Sequence, residues 1–213
     1  MTDTAPVKQA LEAGDADALR ALVAADPALR DADVRFGPDD RHAVPPLHYA
    51  CDLVFREVVS QEQGLALAEV LLAAGVDADR VYAKSGDTFL IAAASLGAEG
   101  IGLRLLEHGV DIHGRGLFGA TALHWAAFMG ADRLADALAA AGGELELRDV
   151  QHECTPLEWA LHAWTDGTNG SREGVPRAAR ALVARGARVP ADAAAQLAGE
   201  DDGPMREALG LPG

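Results

Sequence analysis

The sequence predicts an all-α solenoid of stacked helix-turn-helix units joined by short connecting fingers, and three observations carry that reading. The stretch TALHWAAFMG (121–130) recurs in altered form as PPLHYACDL (45–53), TFLIAAASLG (88–97) and TPLEWALHAW (155–164). Thr88, Thr121 and Thr155 lie 33 and 34 residues apart, and Pro45 to Thr88 spans 43, the same period with about ten residues inserted. A second signal keeps step with the first: EVLLAAGVDAD (69–79), LRLLEHGVDIH (103–113), DALAAAGGELEL (136–147) and RALVARGARVP (180–190) each read as a short apolar helix stopped by glycine. Finally, hydrophobic residues make up 49% of the chain but aromatic ones only 5%, an Ala-, Leu- and Val-rich mixture that favours closely packed helices.

The local chemistry of each unit is simple. A Thr hydroxyl caps the first helix, and Pro is tolerated in the first turn because its missing N–H would have been unpaired there. Leu and paired Ala on one face let the next helix pair approach closely. No unit can bury that face alone, so stacked neighbours must share one elongated core.

These motifs make the chain resemble the ankyrin-repeat family, whose pattern is a Thr-Pro-Leu-His-x-Ala helix, a Gly turn, a second helix ending in Leu-Leu-x-x-Gly-Ala-Asp, and a hairpin finger. Pro45-Pro46-Leu47-His48, Thr121-Ala122-Leu123-His124 and Thr155-Pro156-Leu157-Glu158 carry the first half; Gly75-Val76-Asp77 and Gly109-Val110-Asp111 carry the second. The resemblance implies one domain over 1–213, with approximate repeats 5–35, 41–82, 83–115, 116–149 and 150–190 and a C-terminal cap over 191–213. In the first repeat the leading half of the motif is worn away, Ala13-Gly14-Asp15 is the inter-helix turn, and Leu19, Leu22 and Val23 line the second helix. Phe89 and Ile91 depart from the Pro and His of the pattern, and Glu158 departs from the His. Two insertions fall between the helices of a pair: 52–64, expected to lengthen a first helix, and a polar, Gly-rich loop at 165–174; the stretch 165–175 is expected to be flexible and to interrupt no core position. The tail is expected to be a short capping helix with a frayed end.

Charge and composition exclude several functions. A formal charge of −15 repels nucleic-acid backbones and anionic membranes, and no apolar stretch reaches membrane-spanning length. A basic protein partner suits this surface better. The N-terminus has neither a basic n-region nor an unbroken apolar h-region, so the expected compartment is the cytoplasm, where Cys51 and Cys154 read as buried thiols and the Asn169-Gly170-Ser171 acceptor stays unmodified. Gly114-Arg115-Gly116-Leu117-Phe118-Gly119 is a literal GxGxxG, but the repeat register explains its glycines and no buried strand is expected before it. His48 and His124 occupy the repeat's own His position, so no metal or cofactor is expected, and no nucleophile–base arrangement points to catalysis. Tyr49, Trp125 and Trp159 recur at the x of the motif and read as packing between units.

The positions that differ between units carry the functional expectation. Only the fourth unit places two large apolar residues, Phe128 and Met129, after its paired alanines, and its finger adds Leu117 and Phe118 where the fifth has Gln151 and His152 and the third Lys84 and Ser85. In the ankyrin architecture the fingers and this end of the first helices share a concave groove. The resemblance therefore implies a non-enzymatic protein-binding module whose contact residues are Leu117, Phe118, Phe128, Met129, His152, His162 and Trp164. Two rival readings stand beside it: an acidic inhibitor or immunity-type protein neutralising a basic toxin or enzyme, and a ligand-binding or enzymatic protein using 165–175 as a lid.

Overall fold

The computed structural model describes residues 3–82, 86–167 and 173–212; Lys84, Ser85 and Asn169-Gly170-Ser171 lie outside them. Five helix pairs follow one another: α1 (Ala5–Glu12) with α2 (Ala16–Ala25), α3 (Pro46–Phe55) with α4 (Gln61–Ala73), α5 (Phe89–Ser95) with α6 (Glu99–His108), α7 (Ala122–Met129) with α8 (Asp132–Ala140), and α9 (Pro156–Asp166) with α10 (Gly174–Ala184). Each first helix packs on the next first helix, and each second helix on the next second helix, giving two helical layers around one continuous core. Leu11, Leu47, Leu90, Leu123 and Leu157 are buried in one layer; Leu19, Leu71, Leu105, Leu138 and Leu182 are buried in the other. The expected mostly helical solenoid is therefore what forms.

The helix starts follow from capping chemistry. The Thr88 hydroxyl accepts from Ile91 N–H at 3.2 Å and the Thr155 hydroxyl from Glu158 N–H at 3.3 Å. Glu158, where the repeat pattern has His, completes a capping box by accepting from Thr155 N–H at 2.6 Å, so the departure preserves the local hydrogen bonding. Asp15 caps α2, and Ser60 with Gln63 forms the capping box of α4. α1 has eight residues and buries Val7, Ala10 and Leu11, so the motif is worn in the first unit although its helix is present.

Strand is confined, among the described residues, to one hairpin and an isolated bridge. β1 (Val34–Phe36) pairs antiparallel with β2 (His42–Val44), Val34 facing Val44, and Val81 bridges Thr88. The other fingers are turns tied to their neighbours: Asp111 N–H donates to Asp79 Oδ1 at 2.8 Å, Leu117 N–H to Asp87 Oδ1 at 3.0 Å, and Val150 N–H to the Phe118 carbonyl at 2.8 Å. Such rungs hold the fingers in register without a continuous sheet.

Three expectations are corrected in detail. Residues 52–64 do more than lengthen a first helix: they close α3, form a turn and open α4, leaving Phe55 and Val58 exposed. At 165–175, Thr165 and Asp166 end α9 while Gly174 and Val175 open α10; Val175 is buried, so this stretch does reach the core. Gly130, the left-handed C-cap of α7 at φ 71°, is the reason, because a Cβ on it would lie 2.6 Å from Val175 N. The two backbones meet where any side chain would intrude. The tail is docked rather than frayed: α11 (Ala193–Gln196) and α12 (Gly203–Ala208) bury Ala193, Leu197 and Met205, and Arg206 donates to the Leu197 carbonyl at 2.7 Å.

Candidate functional site

The fourth and fifth units build an aromatic cluster from the repeat positions themselves. Trp159 on α9 is 5% exposed and donates its indole N–H to Asp149 Oδ2 at 3.0 Å. Asp149 is 2% exposed and also accepts from the N–H groups of Gln151, His152 and Cys154 at 2.9, 2.6 and 3.0 Å. Burial pushes its carboxyl up, but these donors outweigh burial and hold it below the usual carboxylate range. One carboxylate thus fixes both the finger carrying His152 and the ring of Trp159.

His124, fully buried on α7, supports the same ring from behind at a centroid distance of 5.5 Å. Its Nδ1 accepts from Thr121 N–H at 3.2 Å, and its Nε2–H faces the carbonyls of Leu147 and Cys154 at 3.1 and 3.2 Å. That pattern uses the neutral ring, and burial lowers its pKa to about 4. The His of the motif is therefore a structural tie between a helix start and the following finger.

Against this frame stand Trp125 and Phe128 of α7 and Phe118 of the preceding finger. Trp125 and Trp159 meet at 4.9 Å and 81°, Phe128 and Trp159 at 5.7 Å and 73°, Trp125 and Phe128 at 6.1 Å and 88°. Phe118 lies 6.1 Å from Trp125, 6.5 Å from Trp159 and 5.5 Å from His152. The pairs among Trp125, Phe128 and Trp159, and the Phe118–His152 pair, have the edge-to-face geometry that aromatic pairs favour; Phe118 is tilted against the two indoles. Phe118 has φ 64°, a left-handed conformation that costs a bulky residue about 1 kcal/mol or more. Glycine would sit there with less strain, so the ring is held in place against its own backbone.

The rings border a cleft of about 470 Å³ that is also lined by Glu158, His162, Pro190, Asp192 and Gln196. Of the residues expected at the site, Phe118, Phe128, His152 and His162 line this cleft. Leu117 is 46% exposed at the finger tip but outside it. Met129 is separated from Phe128: successive helical residues point about 100° apart, and Met129 faces Val58, Leu96 and Gly97 at the turn edge. The single four-residue patch expected from sequence is thus divided. Trp164 is corrected outright, being 7% exposed with its indole N–H donating to Asp202 Oδ1 of the docked tail at 2.8 Å. Trp159 matches its expected packing role, whereas Trp125 both packs on the core and lines the cleft.

A larger trough of about 950 Å³ crosses the second helices, but no ring lines it, and several of its charges pair with one another, Arg104 with Glu69 at 3.6 Å and Arg177 with Asp132 at 3.2 Å. Gly116 of the GxGxxG stretch admits the Asp87 carboxylate, which a Cβ would meet at 2.0 Å; the element before the stretch is the helix α6, not a strand. Cys51 is fully buried and burial pushes its thiol up to about 12, which keeps it protonated. Among the described residues no group of three or more His, Cys, Asp or Glu side chains is placed to hold a metal ion, and no helix is long and apolar enough to cross a membrane.

Residues 55–149 match a family model described as ankyrin repeats (3 copies). The match takes in Phe118, Trp125 and Phe128 and ends at Asp149, before Trp159. No curated protein matches the chain.

Proposed function

We propose, from the premise that this chain is an ankyrin-repeat protein, that it binds a partner protein through the face formed by its fingers and first helices, with the aromatic cleft at the centre of contact. Ankyrin repeats are generally protein–protein interaction modules and typically non-enzymatic. The observation that carries the finer reading is the cleft itself, where Phe118 is kept at a left-handed backbone position beside half-buried Trp125 and Phe128. Partly exposed aromatic rings held rigidly by a packed frame are the usual anchors of protein interfaces. The acidic surface would speed encounter with a basic partner, which keeps an inhibitor or immunity-type role within the same reading.

Phe118→Gly separates binding from folding, because it deletes the ring while relieving the left-handed residue. We expect its unfolding free energy to stay within about 1 kcal/mol of the parent. Capture of the partner from native extract, quantified by mass spectrometry, should weaken tenfold or more, equivalent to about 1.4 kcal/mol. A stable Phe118→Gly protein that captures the same partner undiminished would overturn the assignment of this cleft.

A further inference from the structure

We propose that the cleft receives a cationic side chain, a lysine or arginine of a basic partner, seated against the rings and facing Asp192. This inference rests on the reading of the cleft as the protein-binding site and adds the chemistry of what enters it. Phe118, Trp125, Phe128 and Trp159 border the space, and the last three stand steeply to one another, so an entering group meets differently oriented aromatic surfaces. Ring faces carry the negative lobe of the aromatic quadrupole, so a cation seated over them is favoured over a neutral group of equal size, the more so the further it is desolvated.

The polar lining of the cleft makes the same choice. It includes two carboxylates, Glu158 and Asp192. Glu158 is already matched by the Arg148 guanidinium, at 3.0 and 3.3 Å. Asp192 is exposed, and its side-chain hydrogen bond comes from the neutral Gln196 amide at 3.0 Å; among the described residues no cation pairs with it. No lysine or arginine is among the described residues lining the cleft, and the chain as a whole carries −15. An anionic ligand would be repelled by the carboxylates, and a purely apolar one would leave the Asp192 charge partly desolvated without compensation. A volume of about 470 Å³ admits a long side chain rather than a helix. The long apolar stem of lysine or arginine would cover ring surface while its head reached the carboxylate.

The test uses the whole protein and three acetylated, amidated tripeptides, Gly-Lys-Gly, Gly-Arg-Gly and Gly-norleucine-Gly, titrated at pH 8 while the indole N–H resonances of Trp125 and Trp159 are followed by NMR. The lysine or arginine peptide is expected to shift these resonances with millimolar affinity. The norleucine peptide should bind at least fivefold more weakly, and Asp192→Asn, which leaves the rings and the Gln196 contact site in place, should weaken the cationic peptide at least threefold. Raising the salt concentration should weaken it as well. Equal shifts from norleucine and lysine would overturn the cationic inference while leaving an apolar binding cleft. Absence of any shift up to about 10 mM peptide, an affinity weaker than about 3 kcal/mol, would also overturn it. Failure of the underlying protein-binding reading is read separately, from Phe118→Gly in capture.

Discussion

Asp149→Ala is expected to lower the unfolding free energy by about 3–5 kcal/mol, because buried donors left without a partner cost about 1–3 kcal/mol each and water can recover only part of that. Three backbone N–H groups and the Trp159 indole converge on this carboxylate. Removing it frees the finger that carries His152 and unlatches the Trp159 ring together. Asp149→Asn, which retains one acceptor oxygen but turns an NH₂ toward the donors, should cost roughly half as much. Urea unfolding of the two variants checks this, and a loss below about 1 kcal/mol for the alanine variant would show that the finger is held by other contacts.

The second large effect is on acid stability. His124 has a folded pKa of about 4, below its ordinary 6.5. A depressed pKa means that the unfolded chain takes up the proton first, so the stability linked to neutral His124 is present above pH 6.5 and drains away as pH falls toward 4. The full excursion corresponds to roughly 3 kcal/mol, with the carboxylate contribution of Asp149 lost mainly below that window. His124→Gln removes the titration while keeping a side chain that can accept from Thr121 N–H in a capping box. The variant is expected to be less stable at pH 7 by about 1–2 kcal/mol, yet to lose less stability between pH 6.5 and 4.5 than the parent. Parallel pH profiles for the two proteins would contradict the assignment of His124 as a buried neutral tie.

The solenoid was legible because its signals are local and repeated. Leu and paired Ala positions persist even where the capping residues depart, as in α5, which forms behind Thr88 without the Pro or His of the pattern. The same periodicity explains why the tryptophans read as packing: each unit presents them at one register position, and whether a ring ends up buried, like Trp159, or half-exposed, like Trp125, depends on the neighbouring finger. Phe128 and Met129 read as one feature because they are adjacent in sequence, yet the helix turns them to different clefts. Trp164 looked like a surface anchor because nothing periodic announces the tail that buries it. Pro190, Asp192 and Gln196 escaped for the same reason, since they reach the cleft only through the docking of α11 on the last unit.

The central claim is that a partner protein sits over the aromatic cleft, and site-specific photo-crosslinking tests it most directly. A photoreactive residue replaces His162 at the cleft in one protein and Glu107, exposed on the trough of the second helices, in another. The account predicts that a partner protein is crosslinked from position 162 and not from position 107, and that the product disappears when Phe118→Gly is added. Crosslinking from position 107 alone, or a position-162 product indifferent to Phe118→Gly, would contradict it.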